Sequence, residues 1–158
     1  MNRLVIVPCG AAKLAVPAPA GELYTGSYHR ACRRAAEHIG GRVLILSARY
    51  GLLPLTERVE PYDLRMGQAG TIDTATLRRQ AQTLGVDQAD DVVILAGRRY
   101  ADAAAEIWPH ARRPLDGAAS MGAQLHRLAI LARTNWRTPE VNDGCRFGHQ
   151  LGIASAPA

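Results

Sequence analysis

Three short apolar runs, Leu4–Val7, Val43–Leu46 and Val92–Leu95, constrain this chain more than any other feature. Each consists only of Val, Ile and Leu, and each gives way to small or turn-forming residues. Continuous rather than alternating apolar character marks strands covered on both faces, as in parallel sheets. Helical patterns fill the intervals. Ser27 to His38 stops at Gly40-Gly41, and Thr74 to Leu84 starts behind Asp73 or Thr74 as N-cap and ends at Gly85. Tyr100 to Trp108 ends before Pro109, and Gly122 to Arg133 carries Leu125, Leu128, Ile130 and Leu131 on one face. Strands alternating with helices predict an α/β fold: three layers, a mainly parallel sheet flanked by helices, and right-handed crossovers. One domain is expected over residues 3–133. Residues 134–158 lack periodicity and read as an irregular, extended C-terminal tail containing Cys145 and His149.

A length of 158 residues, 47% apolar content and 21% charge suit one globular domain with an ordinary core. The apolar stretches are far too short to cross a membrane. Met1 leads straight into a predicted strand with no signal-peptide pattern, so a cytoplasmic protein is expected. Three cysteines without C-x-x-C spacing predict neither a disulfide framework nor a metal site, and no cofactor motif is present. The net charge of +5 permits an anionic partner: a nucleotide, a nucleobase-bearing ligand or nucleic acid. The arginines are spread in pairs, which a solvated surface explains equally well.

Parallel strands share a direction, so the loops after the three runs open on one rim, where ligands bind in open α/β sheets. Those loops are Cys9-Gly10-Ala11-Ala12-Lys13, Ser47-Ala48-Arg49-Tyr50-Gly51 and Gly97-Arg98-Arg99-Tyr100. Lys13 is the only lysine of the nineteen Lys and Arg residues. A position held as Lys against that bias suits a compact ammonium or an amine able to lose its proton. Cys9 reads either as a buried structural thiol or as a nucleophile activated by Lys13. Thr25 or Ser27 reads as an N-cap or a site hydroxyl, and His29 as an acid/base group or an ordinary first-turn residue. Asp63 is a candidate to orient His29 or a substrate amine, while Glu60 pairs with an arginine in the plainer reading. Tyr24, Tyr50 and Tyr62 offer faces for stacking on a base, and Arg49 and Arg98 offer guanidinium groups for phosphate or sugar.

Two resemblances sharpen these options. Tyr24-Thr25-Gly26, Leu46-Ser47, Tyr50-Gly51-Leu52, Pro54-Leu55, Pro61-Tyr62, Leu64 and Met66-Gly67, with Val93 to Ala96 and Tyr100, resemble the ordered motifs of the YaaA peroxide-stress family over about residues 3–133. The chain is similar to a short actinobacterial and phage branch, without room for the helix-hairpin-helix insert of YaaA proteins. Pro8-Cys9, Lys13, Tyr24, Ser27 and His29 also resemble the core signature of archaeosine synthase. They depart from it by the insert Leu14 to Leu23 and by a Ser-to-His spacing one residue shorter.

The second resemblance implies chemistry at the nitrile of a 7-deazaguanine. A thiol would form a thioimidate, a group such as His29 or Tyr24 would protonate nitrogen, and Asp63 would act as base for incoming water or amine. The expected function is therefore a small enzyme acting on a modified nucleobase, free or in nucleic acid. Its catalytic residues are Cys9, Lys13, His29 and Asp63. Its binding residues are Gly10, Tyr24, Thr25, Ser27, Ser47, Arg49, Tyr50, Gly51, Tyr62, Gly97, Arg98 and Tyr100. Glycosidic-bond chemistry assisted by Asp63 is a variant of this reading. The alternative is a non-catalytic nucleic-acid-binding protein of the oxidative-stress response, as the YaaA resemblance implies.

Overall fold

The computed structural model describes residues 3–136. The three apolar runs form parallel strands β1 (Arg3–Pro8), β3 (Arg42–Ser47) and β6 (Asp91–Ile94). A fourth strand, β4 (Gly51–Pro54), adds to β3 antiparallel and gives the order β4-β3-β1-β6. Sequence patterning identified no strand here and placed only Gly51, in the loop after the second apolar run. The apolar content of β4 is only Leu52-Leu53 between Gly and Pro, too little to register as a strand. A second, two-stranded sheet pairs β2 (Ala18–Pro19) with β5 (Arg58–Val59), and it leads into the short helix α1 (Ala20–Leu23).

The longer helices are α2 (Ser27–Ile39), α3 (Thr74–Thr83), α4 (Arg98–Ala105) and α5 (Met121–Leu131). Helix α4 starts two residues earlier than its apolar pattern suggests and stops before Trp108. The expected tail lies outside the described residues except for 134–136.

From β1 the chain moves outward to β3, then returns past β1 to β6. Right-handed crossovers then put α2 and α3 on opposite faces of the sheet. Helix α2 packs on β1 and α5, and α3 packs on β4. Both faces are thus covered, and Leu4, Ile6, Leu44, Ile45, Leu46 and Ile94 are all fully buried. Trp108, also fully buried, is fixed by its indole N–H to the Val86 carbonyl at 2.9 Å. The reversal of direction leaves the carboxyl ends of β1 and β6 as the switch point, where flanking loops diverge and open a crevice. Among the described residues, no helix is long and apolar enough to cross a membrane.

Candidate functional site

Cys9 is the first residue beyond β1, and its amide is still tied to the sheet by a 3.0 Å bond to the Leu46 carbonyl. Its thiol lies in the wall of a cavity of about 500 Å³ at the switch point, within the range of ligand sites. The wall comprises Pro8 to Lys13, Gly26 to His29, Asp63 to Met66, Gly97, Arg99, Tyr100, Met121 and Gln124. Of the expected site, it brings together Cys9, Gly10, Lys13, Ser27, His29, Asp63, Gly97 and Tyr100.

The phenol of Tyr100, in the first turn of α4, is 3.2 Å from Cys9 Sγ. Tyr100 Oη also accepts the Met66 amide at 3.3 Å. Lys13 Nζ sits 4.4 Å from the Tyr62 ring centroid and 5.8 Å from that of Tyr24. Partial burial lowers the Lys13 pKa, against the opposing pull of negative charge on Cys9 and Asp63.

His29 is 2% exposed. Its Nδ1 is 2.8 Å from the Pro8 carbonyl, so Nδ1–H donates there and the free lone pair is on Nε2. Nε2 is buried without a hydrogen-bond partner among the described residues. Burial lowers the His29 pKa more than the Pro8 bond raises it, and Arg33 lowers it further. The ring is therefore neutral at pH 7. Asp63 does not orient it, because Nδ1 is already held by Pro8, which leaves the other expected role, toward a substrate amine. Asp63 is exposed on the cavity rim, in electrostatic reach of Lys13.

The tyrosines also depart from expectation. Tyr24 is 3% exposed, and its ring packs against His29 at 5.0 Å. Tyr62 meets Tyr50 edge-on at 5.3 Å, and its face lies beneath Lys13. None of the three is in the cavity wall.

Their hydroxyls form a chain with a fixed direction. Ser47 Oγ accepts the amides of Arg49 at 3.2 Å and Tyr50 at 3.0 Å, filling both lone pairs. Ser47 must then donate to Tyr62 Oη at 2.6 Å, and Tyr62 to Tyr24 Oη at 2.6 Å. Tyr24 thus keeps its proton for another acceptor. Burial pushes its pKa up to about 12, so the proton stays in place.

Ser47, Arg49, Tyr50 and Gly51 build the β3–β4 turn rather than the cavity. Gly51 has φ +76°, and a Cβ there would fall 2.1 Å from Gln80 Oε1. Gln80 fills that space, accepting the Leu52 amide and donating to the Tyr50 carbonyl, both at 2.8 Å. Arg49 is exposed and lies over the Tyr50 ring at 5.5 Å. Arg98 points into solvent beside Asp102 at 3.9 Å, while its neighbour Arg99 reaches the cavity. The tandem arginines hid which of the two faces inward. Thr25 ties its amide to the Ala12 carbonyl at 3.0 Å, closing the Lys13–Tyr24 bridge. Neither Thr25 nor Ser27 is the N-cap of α2; that position is Gly26. Gln124, which accepts from the Tyr28 hydroxyl, was not legible as a site residue because its helix is distant in sequence.

A model described as "Family of unknown function (DUF6884)" matches residues 4–130. The chain belongs to this family. The match spans the entire cavity wall, from Pro8 to Gln124. The chain is also 36% identical over 109 residues to the uncharacterized protein YfjM of Bacillus subtilis (strain 168), covering 63% of this chain and 73% of that protein.

Proposed function

We propose that this chain is a thiol-dependent enzyme acting on a modified nucleobase, free or within nucleic acid, with Cys9 as its nucleophile. The observation that carries the reading is the setting of Cys9: in the wall of the switch-point cavity, 3.2 Å from a phenol in the first turn of α4. The Tyr100 phenol and the cavity give the thiol a polar neighbour and access to a ligand. Lys13 supplies the nearby amine, and its lowered pKa supports a role in proton exchange.

With a nitrile-bearing base, the Cys9 proton passes to the Lys13 amine and sulfur bonds to the nitrile carbon. One π pair moves onto nitrogen, which takes the proton back from the Lys13 ammonium to complete a thioimidate. In the step that releases sulfur, the exposed Asp63 carboxylate on the cavity rim accepts the proton of the incoming water. Asp63 on the rim stabilises the Lys13 cation between these transfers.

The test is alkylation of Cys9 in the folded protein by iodoacetamide, followed site by site by mass spectrometry. Reaction at pH 7 faster than that of a free thiol, slowed at least several-fold in Lys13→Ala, is the expected result. A Cys9 that reacts only after unfolding would sink the nucleophile and leave the nucleic-acid-binding alternative, whose affinity falls steeply with salt.

A further inference from the structure

Helix α5 brings Met121 and Gln124 to the cavity wall, and the protein uses only half of the hydrogen-bonding capacity of Gln124. A carboxamide has two lone pairs on oxygen and two N–H donors on nitrogen. Here Nε2 donates to the Ala118 carbonyl at 3.4 Å, and Oε1 accepts from the Tyr28 hydroxyl. The Ala118 carbonyl can only accept, so nitrogen must face it and oxygen must face Tyr28. Burial pushes the Tyr28 pKa up, so its proton is in place to donate. Among the described residues, one lone pair and one N–H of the carboxamide have no protein partner.

The surroundings leave that donor and acceptor to a ligand. Gly97 stands against the carboxamide, where a Cβ would lie 3.6 Å from Oε1 and 3.8 Å from Nε2. Its φ of −67° and ψ of 167° are open to any residue. A polar side chain at 97 would bond to the carboxamide, whereas glycine leaves it free. Leu64, Met66 and Met121 supply apolar wall, so a few fixed polar groups stand among surfaces suited to a flat ring. Gln124 also borders a second cavity of about 690 Å³. There Arg113 is already bonded to Asp102 and Asp116, and these charges satisfy one another.

We infer that Gln124 reads the edge of the nucleobase, accepting one hydrogen bond from it and donating one, while Tyr28 holds the carboxamide in place. The edge that fits carries an acceptor beside a donor. Hypoxanthine and guanine offer O6 beside N1–H, and adenine offers N1 beside the N6 amine. An edge with acceptors alone leaves the carboxamide oxygen unmet, and a site built to hydrogen-bond its ligand rejects such an analogue. This inference rests on the nucleobase reading above and gives that site its specificity-determining residue.

Isothermal titration of the full-length protein with inosine, adenosine and purine riboside tests it without using Cys9 chemistry. Purine riboside keeps the ring and the sugar but has only acceptors along its base edges. Inosine or adenosine is expected to bind at least about tenfold more tightly than purine riboside, and the one that does so identifies the edge. In Gln124→Leu the favoured nucleoside should fall to the affinity of purine riboside, while purine riboside itself binds as before. Gln124→Met, unbranched, repeats the comparison with a side chain of similar length.

Equal loss of all three ligands would make Gln124 a structural residue and overturn the inference. So would a preference that survives both substitutions, or a wild type that binds the three alike. Binding of none of them would remove the nucleobase reading, and this inference with it. If the preference disappears with Gln124 while Cys9 is inert to iodoacetamide, the edge reader stands and the nucleophile falls.

Discussion

At the scale of single residues, His29 shows how one backbone bond sets a side chain's chemistry. Bonding to the Pro8 carbonyl decides which nitrogen carries the proton, and burial keeps the ring neutral. The folded-state pKa is below the ordinary value, so the unfolded chain takes up a proton first as pH falls through about 6.5. Stability from this group is therefore full above that pH and is lost as pH falls toward the depressed folded value. Thermal melts between pH 7.5 and 5 should show the wild type losing more stability than His29→Gln. Parallel curves for the two proteins would mean that His29 is not held neutral. The imidazole was visible in the sequence as a candidate. Its tautomer was not, because it depends on a carbonyl 21 residues away.

At the scale of elements, the strands and long helices were legible because apolar runs and Gly stops act locally, whereas β4 is made by its neighbours. Leu52 and Leu53 pair with Leu46 and Ile45, and Gln80 of α3 clamps the turn that brings them there. This explains why Gly51 looked functional: a glycine fixed by a turn and one fixed by a ligand are indistinguishable in a single sequence. Gly51→Ala should lose about 1–3 kcal/mol of stability, from the positive φ and the displaced Gln80 bonds. Urea denaturation reads that loss. Cys9 alkylation in the folded variant should match the wild type, and a marked slowing would return Gly51 to the site. The tyrosine network was hidden for a related reason: spacing in sequence gave no sign that the hydroxyls of Ser47, Tyr62 and Tyr24 bond to one another.

At the scale of the whole molecule, the two ends of the sheet do different work. The carboxyl end holds a thiol and an amine, groups that stabilise little until a ligand fills the cavity. The amino end is closed by Asp91 at the start of β6, which is bonded to Arg3 of β1 at 2.7 Å and to Arg112. Burial alone would raise the Asp91 pKa, but the hydrogen bonds from Arg3 and Arg112 overcome it and hold the carboxyl below its usual range. A depressed carboxyl contributes stability that is fully present above the unfolded value, about 3.9, and is lost as pH falls through the folded one. Asp91→Asn should therefore cost about 1–3 kcal/mol near pH 6, and the gap from wild type should close as pH falls below about 4. Because β1 links Arg3 at one end to Cys9 at the other, the same variant tests whether the ends are independent. Unchanged Cys9 alkylation in folded Asp91→Asn is expected, since the central strand is fixed by β3 and β6 along its length. A marked change would mean that the ion pair sets the register of β1 and, through it, the position of the thiol.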